Sequence, residues 1–264
     1  MNTTTISTNA ANHPVASRED WLAQRRALLA REKELTHLGD QIARERRALP
    51  WVRLDKAYTF DTPTGRRTLA DLFEGRRQLM VQHFMLAPGW EQGCKSCSFM
   101  ADHLVGAKIH LEHRDLTVVL VSRAPLAEIE RFRQRMGWDF EWVSAHGGDF
   151  NHDFAVSFPP ESRVDGKVFY NFGMTAFPQE EAPGISFFCK DGAGDVFHTY
   201  STFGRGVEVM MGTYDLLDMA PRGRDEDALA YTMEWVRHHD RYESAAAAPA
   251  STPAAAASCC ASRA

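Results

Sequence analysis

Residues 78–114 read QLMVQHFMLAPGWEQGCKSCSFMADHLVGAKIHLEHR, and the reading of this stretch decides the fold. An apolar run between Arg77 and Pro88 predicts a strand over Gln78–Leu86. A loop holding Gly89 and Gly93 follows. Cys94 and Cys97 then stand at Cys-x-x-Cys spacing, and helical periodicity continues to about His113. Two cysteines three apart at a helix start lie on one face almost a turn apart, close enough to join in a small disulfide ring. The unpaired N–H groups and the positive dipole end of a helix start favour a thiolate there. Cys94, nearer the loop, is the expected attacking thiol, and Cys97, one turn in, the expected resolving thiol.

The flanking sequence repeats the strand-helix alternation. Leu116–Ser122 (LTVVLVS) is a continuous apolar, β-branched run, as in a strand covered on both faces. Pro125 opens a helix with Leu126, Ile129, Phe132 and Met136 at helical spacing, stopped by Gly137, and Trp142–Ser144 returns as a short strand. The order β-α-β-α-β predicts an open, mainly parallel sheet with right-handed crossovers. Before it, Val52–Phe60 alternates like a strand, Asp61, Pro63 and Gly65 make a turn, and Leu69–Phe73 suits a short helix. After it, Val168–Phe172 suits a strand, and Ile185–Cys189 with Val196–Ser201 suits a hairpin. Helices are expected over Gly206–Leu217 and Asp225–Tyr242.

Four regions follow from composition. Residues 1–15 are rich in Thr, Asn and Ser and predict disorder. Residues 16–49 form one long amphipathic helix, capped by Ser17, with Trp21, Leu28, Leu35, Ile42 and Leu49 recurring every seventh position. That stripe suits packing on its own domain or pairing with a second copy as a homodimer arm. Residues 50–243 carry the α/β domain, and the Ala-rich stretch 244–264 reads as a disordered tail.

Composition bounds the function. Of 264 residues, 44% are hydrophobic and 25% charged, which is ordinary for a globular protein. A net charge of −5 gives no electrostatic reason to bind nucleic acid or an anionic membrane. The N-terminus has neither the basic start nor the apolar core of a secretory signal, so a cytoplasmic address is expected. Five cysteines do not make a disulfide scaffold. No Gly-x-Gly-x-x-Gly or Walker-type loop occurs, and dithiol chemistry needs no organic cofactor.

The Cys94/Cys97 pair allows redox chemistry, metal binding or inert cysteines, and its place at a helix start inside βαβ repeats favours redox. The metal alternative adds His110 and His113. Their two-residue spacing is short for a zinc finger, and His110 lies about 20 Å along the helix from its start, too far for one tetrahedral ion. Trp90 and Glu91, in the loop before Cys94, can shape a substrate surface or simply pack. Pro183, followed by Gly184 at a strand entrance, suits a tight turn and could carry a cis bond that brings backbone polar groups to the dithiol. Asp149, Asn151, His152 and Asp153 read as turn chemistry before metal binding. Cys189 reads as a small apolar strand residue. Cys259 and Cys260 are too far from the end for a prenylation signal.

The segments SREDWLAQRRALLAREKEL, ALPWVRLDKAYTF, QHFMLAPGWEQGCKSCSFMADH, VSRAPLAEIERFRQRMGW, DFNHDFAVSF and FHTYSTFGRGVEVMMGTYDLLDMAPRGRDE resemble a bacterial thioredoxin-like family of unknown function. This is domain of unknown function number eight hundred and ninety-nine, whose members are described as predicted dithiol-disulfide oxidoreductases. The resemblance covers about Ser17 to Tyr242. It implies a thioredoxin-like α/β fold with a mixed, mainly parallel sheet flanked by helices, Cys94 attacking, Cys97 resolving, and Pro183 facing the dithiol. It also implies a protein or small-molecule thiol or disulfide as substrate. Thioredoxin itself has Trp before its first cysteine and Gly-Pro between the two, where this chain has Gly93 and Lys95-Ser96. These residues bear on leaving-group pKa and helix-start geometry, and Lys95 is expected to favour the thiolate state of its neighbours.

Overall fold

The computed structural model describes residues 7–8 and 13–242. The chain divides after Val52 into two units. In the first, helix α1 (Arg18–Ala48) starts where the sequence places it. The Ser17 side chain accepts the Asp20 N–H at 3.1 Å, acidic Glu19 and Asp20 occupy the first turn, and basic Arg46 and Arg47 the last. Both ends therefore match the helix dipole. Of the segment expected to be disordered, residues 1–6 and 9–12 lie outside the described residues, and Ser7–Thr8 pairs antiparallel with Pro14–Val15. The Ala-rich tail, with Cys259 and Cys260, also lies outside them.

The second unit is built on strands β1 (Thr59–Thr62), β2 (Gly65–Thr68), β3 (Gln78–His83), β4 (Leu116–Ser122), β5 (Glu141–Ser144), β8 (Gly184–Lys190) and β9 (Val196–Phe203), in the spatial order β9-β8-β3-β4-β5-β1-β2. A separate hairpin joins β6 (Lys167–Tyr170) and β7 (Gly173–Ala176). β3 and β4 run parallel from Gln78↔Leu116 to His83↔Val121, and β4 and β5 run parallel from Val119↔Glu141 to Ser122↔Ser144. β8 is antiparallel to both β3 and β9. Helices α2 (Lys95–Glu112) and α3 (Leu126–Arg135) supply the crossovers. A β-α-β unit with an antiparallel hairpin laid against its first strand is a thioredoxin-like fold, with β1, β2 and β5 extending the sheet.

Alternation along β3 divides the core. Met80 and Phe84 point to the face covered by α2 and α3, where they meet Met100, Leu104, Ile129, Phe132 and Trp142. Leu79 and Val81 point to the other face, with Leu72, Phe73, Phe150 and Phe188. Apart from its half-buried first residue, β4 is buried along its whole length, as its unbroken apolar run predicts.

The region after β9 departs from expectation. Gly204–Met210 is a 3-10 helix, and only Gly212–Met219 (α4) is α-helical. Asp225–Tyr242 is not a helix. It runs as turns, with positive φ at Asp225 and Met233, to a single 3-10 turn at His239–Arg241. The cause is the Glu226 carboxylate, which accepts from the Tyr214 hydroxyl at 2.7 Å, the Met233 N–H at 3.0 Å and the Trp235 indole N–H at 2.6 Å. These side-chain bonds fold the segment inward as a strap, with Val236 fully buried. The helix expected near Leu69 is likewise a short 3-10 turn, Asp71–Phe73.

Candidate active site

Past His83 the chain runs through buried Phe84–Ala87 into a turn closed by the Trp90 N–H on the Ala87 carbonyl, 3.1 Å. Pro88 and Gly89 form its corner, with φ +80° at Gly89 and its N–H held by the Glu128 carboxylate at 3.0 Å. The chain then returns antiparallel to itself. Cys94 donates its N–H to the Met85 carbonyl at 3.0 Å, and the Met85 N–H in turn donates to the Cys97 sulfur. Met85 thus fixes both halves of the dithiol.

Cys94 is the N-cap of α2, with φ −56° and ψ 130°, and its carbonyl accepts the first helical bond from the Ser98 N–H at 2.9 Å. Its sulfur stands at the helix start, where no regular side-chain cap is formed. The thiol of Cys97 donates to it, opposed by burial and aided by the N–H groups of Cys97 and Ser96 and by the Ser96 hydroxyl. These donors bring the Cys94 thiol down from 9.0 to about 6. Cys97 goes the other way. It is fully buried, and burial, the bond to Cys94 and the Cys94 charge push its thiol well above the ordinary value. Both thiols are free, Cys94 half-buried. One thiolate on a half-buried residue is thus backed by one protonated, enclosed thiol.

Gly93 is required by packing. A Cβ there would lie 2.5 Å from Phe84 Cε1 and 2.8 Å from Phe132 Cε1, against a wall continued by Trp138 and Trp142. Ser96 is a direct donor to the thiolate. Lys95 is placed differently from expectation. Its ammonium points to the strap, 3.0 Å from the Glu234 carbonyl and 3.4 Å from the Tyr231 hydroxyl, over whose ring it lies. The donors that lower Cys94 come from Cys97 and Ser96, and Lys95 is not among them.

Trp90 packs on the core and donates its indole N–H to Glu180 at 3.2 Å. Glu91 is exposed. Arg123, just past β4, bridges Glu180 at 3.0 Å and the buried Glu181 at 2.6 Å, and Ser157 donates to the second oxygen of Glu181 at 2.6 Å. The loop before Cys94 is thereby tied to the segment leading to Pro183. Pro183 immediately precedes β8, whose first residue Gly184 pairs with His83, so it stands at the dithiol end of the sheet. The cis bond envisaged there is not present, since all described peptide bonds are trans. The Pro183 carbonyl accepts from the Tyr170 hydroxyl at 2.8 Å.

The other candidates fall away from the dithiol. His110 is in the last turn of α2 and His113 is its C-cap. Asp149 and Asp153 both hold the Lys56 ammonium, at 2.7 and 2.6 Å, and His152 bonds the Ser157 carbonyl. Among the described residues no group of three His, Cys, Asp or Glu is placed to hold a metal. Cys189 is half-buried in β8. Sequence reasoning missed His238, whose imidazole bonds the Gly93 carbonyl at 2.8 Å, and missed the Arg123–Glu180–Glu181 group. No local period or motif marks them in the sequence.

No curated protein matches the sequence. Similar solved structures include the crystal structure of Peroxidoxin BcpB from Mycobacterium tuberculosis, at 14% identity and TM-score 0.41 over 62% of this chain and 93% of that one. A PrxQ mutant from Xylella fastidiosa has 12% identity and TM-score 0.37 over 60% and 88%. A putative thioredoxin from Neisseria meningitidis has 11% identity and TM-score 0.35 over 64% and 96%. The family profile described as "Bacterial protein of unknown function (DUF899)" matches residues 10–242, so the chain belongs to that family.

Proposed function

We propose that the protein is a thiol-disulfide oxidoreductase in which Cys94 attacks and Cys97 resolves. The observation that carries this reading is the asymmetry of the pair. The half-buried Cys94 thiol is lowered to about 6 by the donors at the helix start, and the enclosed Cys97 thiol is held protonated beside it. Two inert cysteines need no such division.

In the reaction the Cys94 thiolate attacks one sulfur of a substrate disulfide. That S–S bond breaks, a Cys94–substrate disulfide forms, and the first substrate thiolate leaves and takes up a proton. Cys97 then gives up its proton and attacks the Cys94 sulfur, releasing the second substrate thiol and leaving a 94–97 disulfide. Two electrons pass from protein to substrate, and a thiol reductant restores the dithiol. The reverse sequence oxidises a substrate dithiol, with the direction set by relative potentials. The substrate is a protein or small-molecule disulfide or dithiol, and Trp90, in the loop before Cys94 and braced by Glu180, is the apolar residue offered to it.

Mild oxidation of the full chain followed by alkylation and mass mapping tests this. A 94–97 bridge that a dithiol reductant removes is expected. Absence of that bridge under oxidant sinks the reading. Cys97→Ser should accumulate mixed disulfides with substrate, since the resolving step is gone.

A further inference from the structure

We propose that His238 is a positioning residue for Cys94, holding the peptide before it so that the sulfur stays among its helix-start donors. The inference rests on the dithiol reading above and extends the site to the far end of the domain.

The strap supplies partners to both neighbours of Cys94. Lys95 is held by the Glu234 carbonyl and Tyr231, and Gly93 by His238. His238 is buried, and its Nε2 lies 2.8 Å from the Gly93 oxygen. A carbonyl only accepts, so Nε2 carries the proton and Nδ1 of the neutral ring is the acceptor. Nδ1 faces the Arg135 guanidinium at 3.4 Å, a donor, which fits that tautomer. Arg135 is itself fixed by Asp240 through two bonds of 2.9 Å and by Gln92 at 3.1 Å, and the Phe132 ring stands edge-on to the imidazole. The charged groups about His238 are thus Arg135 on α3 and Asp240 and Arg241 on the strap.

The Gly93–Cys94 peptide is therefore pinned at both ends, its N–H on the Met85 carbonyl and its C=O on His238. That plane sets the direction in which Cys94 leaves the loop and enters α2. The imidazole N–H also takes up the negative end of a carbonyl dipole lying one residue from the thiolate. Without it the peptide can tilt, the Ser96 and Cys97 donors lose alignment with the sulfur, and the carbonyl oxygen is left without its buried partner.

The test uses the reduced full chain and four proteins: wild type, H238A, H238F and H238Q. Iodoacetamide alkylation of Cys94 is followed against pH by mass mapping. H238A and H238F should move the midpoint upward and, at pH 5 where little of Cys94 is ionised, slow alkylation by roughly two- to tenfold, the worth of one net hydrogen bond. H238Q keeps an N–H donor that can reach Gly93 and should recover at least half of the change. H238F keeps the ring volume against Phe132 and carries the test if H238A does not fold. Variants whose profiles superimpose on wild type, even with lowered melting temperatures, overturn the inference, since a merely structural contact would do that. A wild-type midpoint near 9, with no 94–97 bridge on oxidation, would instead defeat the dithiol reading.

Discussion

Proton uptake during reduction should change near pH 6, and the structure sets the size of that change. Cys94 is lowered to about 6 from 9.0, a displacement worth ~4 kcal/mol in favour of the thiolate at about 1.4 kcal/mol per pH unit. Cys97 stays protonated well beyond that range. Below pH 6, reducing the 94–97 bridge takes up two protons with two electrons, and the midpoint potential should fall by about 59 mV per pH unit. Above pH 6 it takes up one, and the slope should halve to about 30 mV. Equilibration with glutathione buffers from pH 5 to 8, quenched in acid and alkylated, measures this. The same displacement predicts a stability trend for the reduced protein. Between pH 6 and 9 the unfolded chain holds a Cys94 proton that the folded chain has lost, so stability relative to Cys94→Ser rises through that window and is lost as pH falls through 6. A single slope near 59 mV up to pH 8, with an alkylation midpoint near 9, would refute the reasoning.

Three further outcomes are expected. Gly93→Ala drives a methyl into Phe84 and Phe132, which are buried and cannot retreat. It should cost about 1–3 kcal/mol, read as a melting point lower by about 2–4 °C per kcal/mol. Glu226→Ala leaves the Tyr214, Trp235 and Met233 donors without their acceptor and should destabilise by at least about 1–3 kcal/mol in denaturant, with Glu226→Gln recovering part. If the heptad stripe of α1 pairs two copies, Leu28→Asp with Leu35→Asp should convert a dimer to a monomer in sedimentation and leave Cys94 alkylation unchanged.

What the sequence disclosed follows from range. The path from Gln78 to Ser144 was readable because each element announces itself locally: an apolar run, a Pro-Gly corner, a helical stripe, a Gly stop. The dithiol falls inside that path, so its spacing and helix-start position were legible too. The segment after Asp225 has helical composition, but Glu226 gathers three donors from its surroundings, a tertiary preference that no local period records. Lys95 shows the same limit. Sequence adjacency to Cys94 predicted support for the thiolate, whereas the side chain's direction was decided by Glu234 and Tyr231, well over a hundred positions on. Pro183 stands immediately before the strand residue that pairs with His83, and its peptide bond is trans, contrary to the cis bond envisaged from sequence.

The strap also has a consequence in time. His238 follows Cys97 by 141 residues in the chain. At typical rates of synthesis that interval takes roughly 7 to 28 s. For those seconds the emerging polypeptide carries the cysteine pair without the residue that steadies Gly93 or those that draw Lys95 aside. If His238 acts as proposed, Cys94 of the newborn chain stays less ionised than in the finished protein until the last part of the domain has been made. The protein would reach its full reactivity only on completion, and a fragment cut short before the strap would be born less reactive.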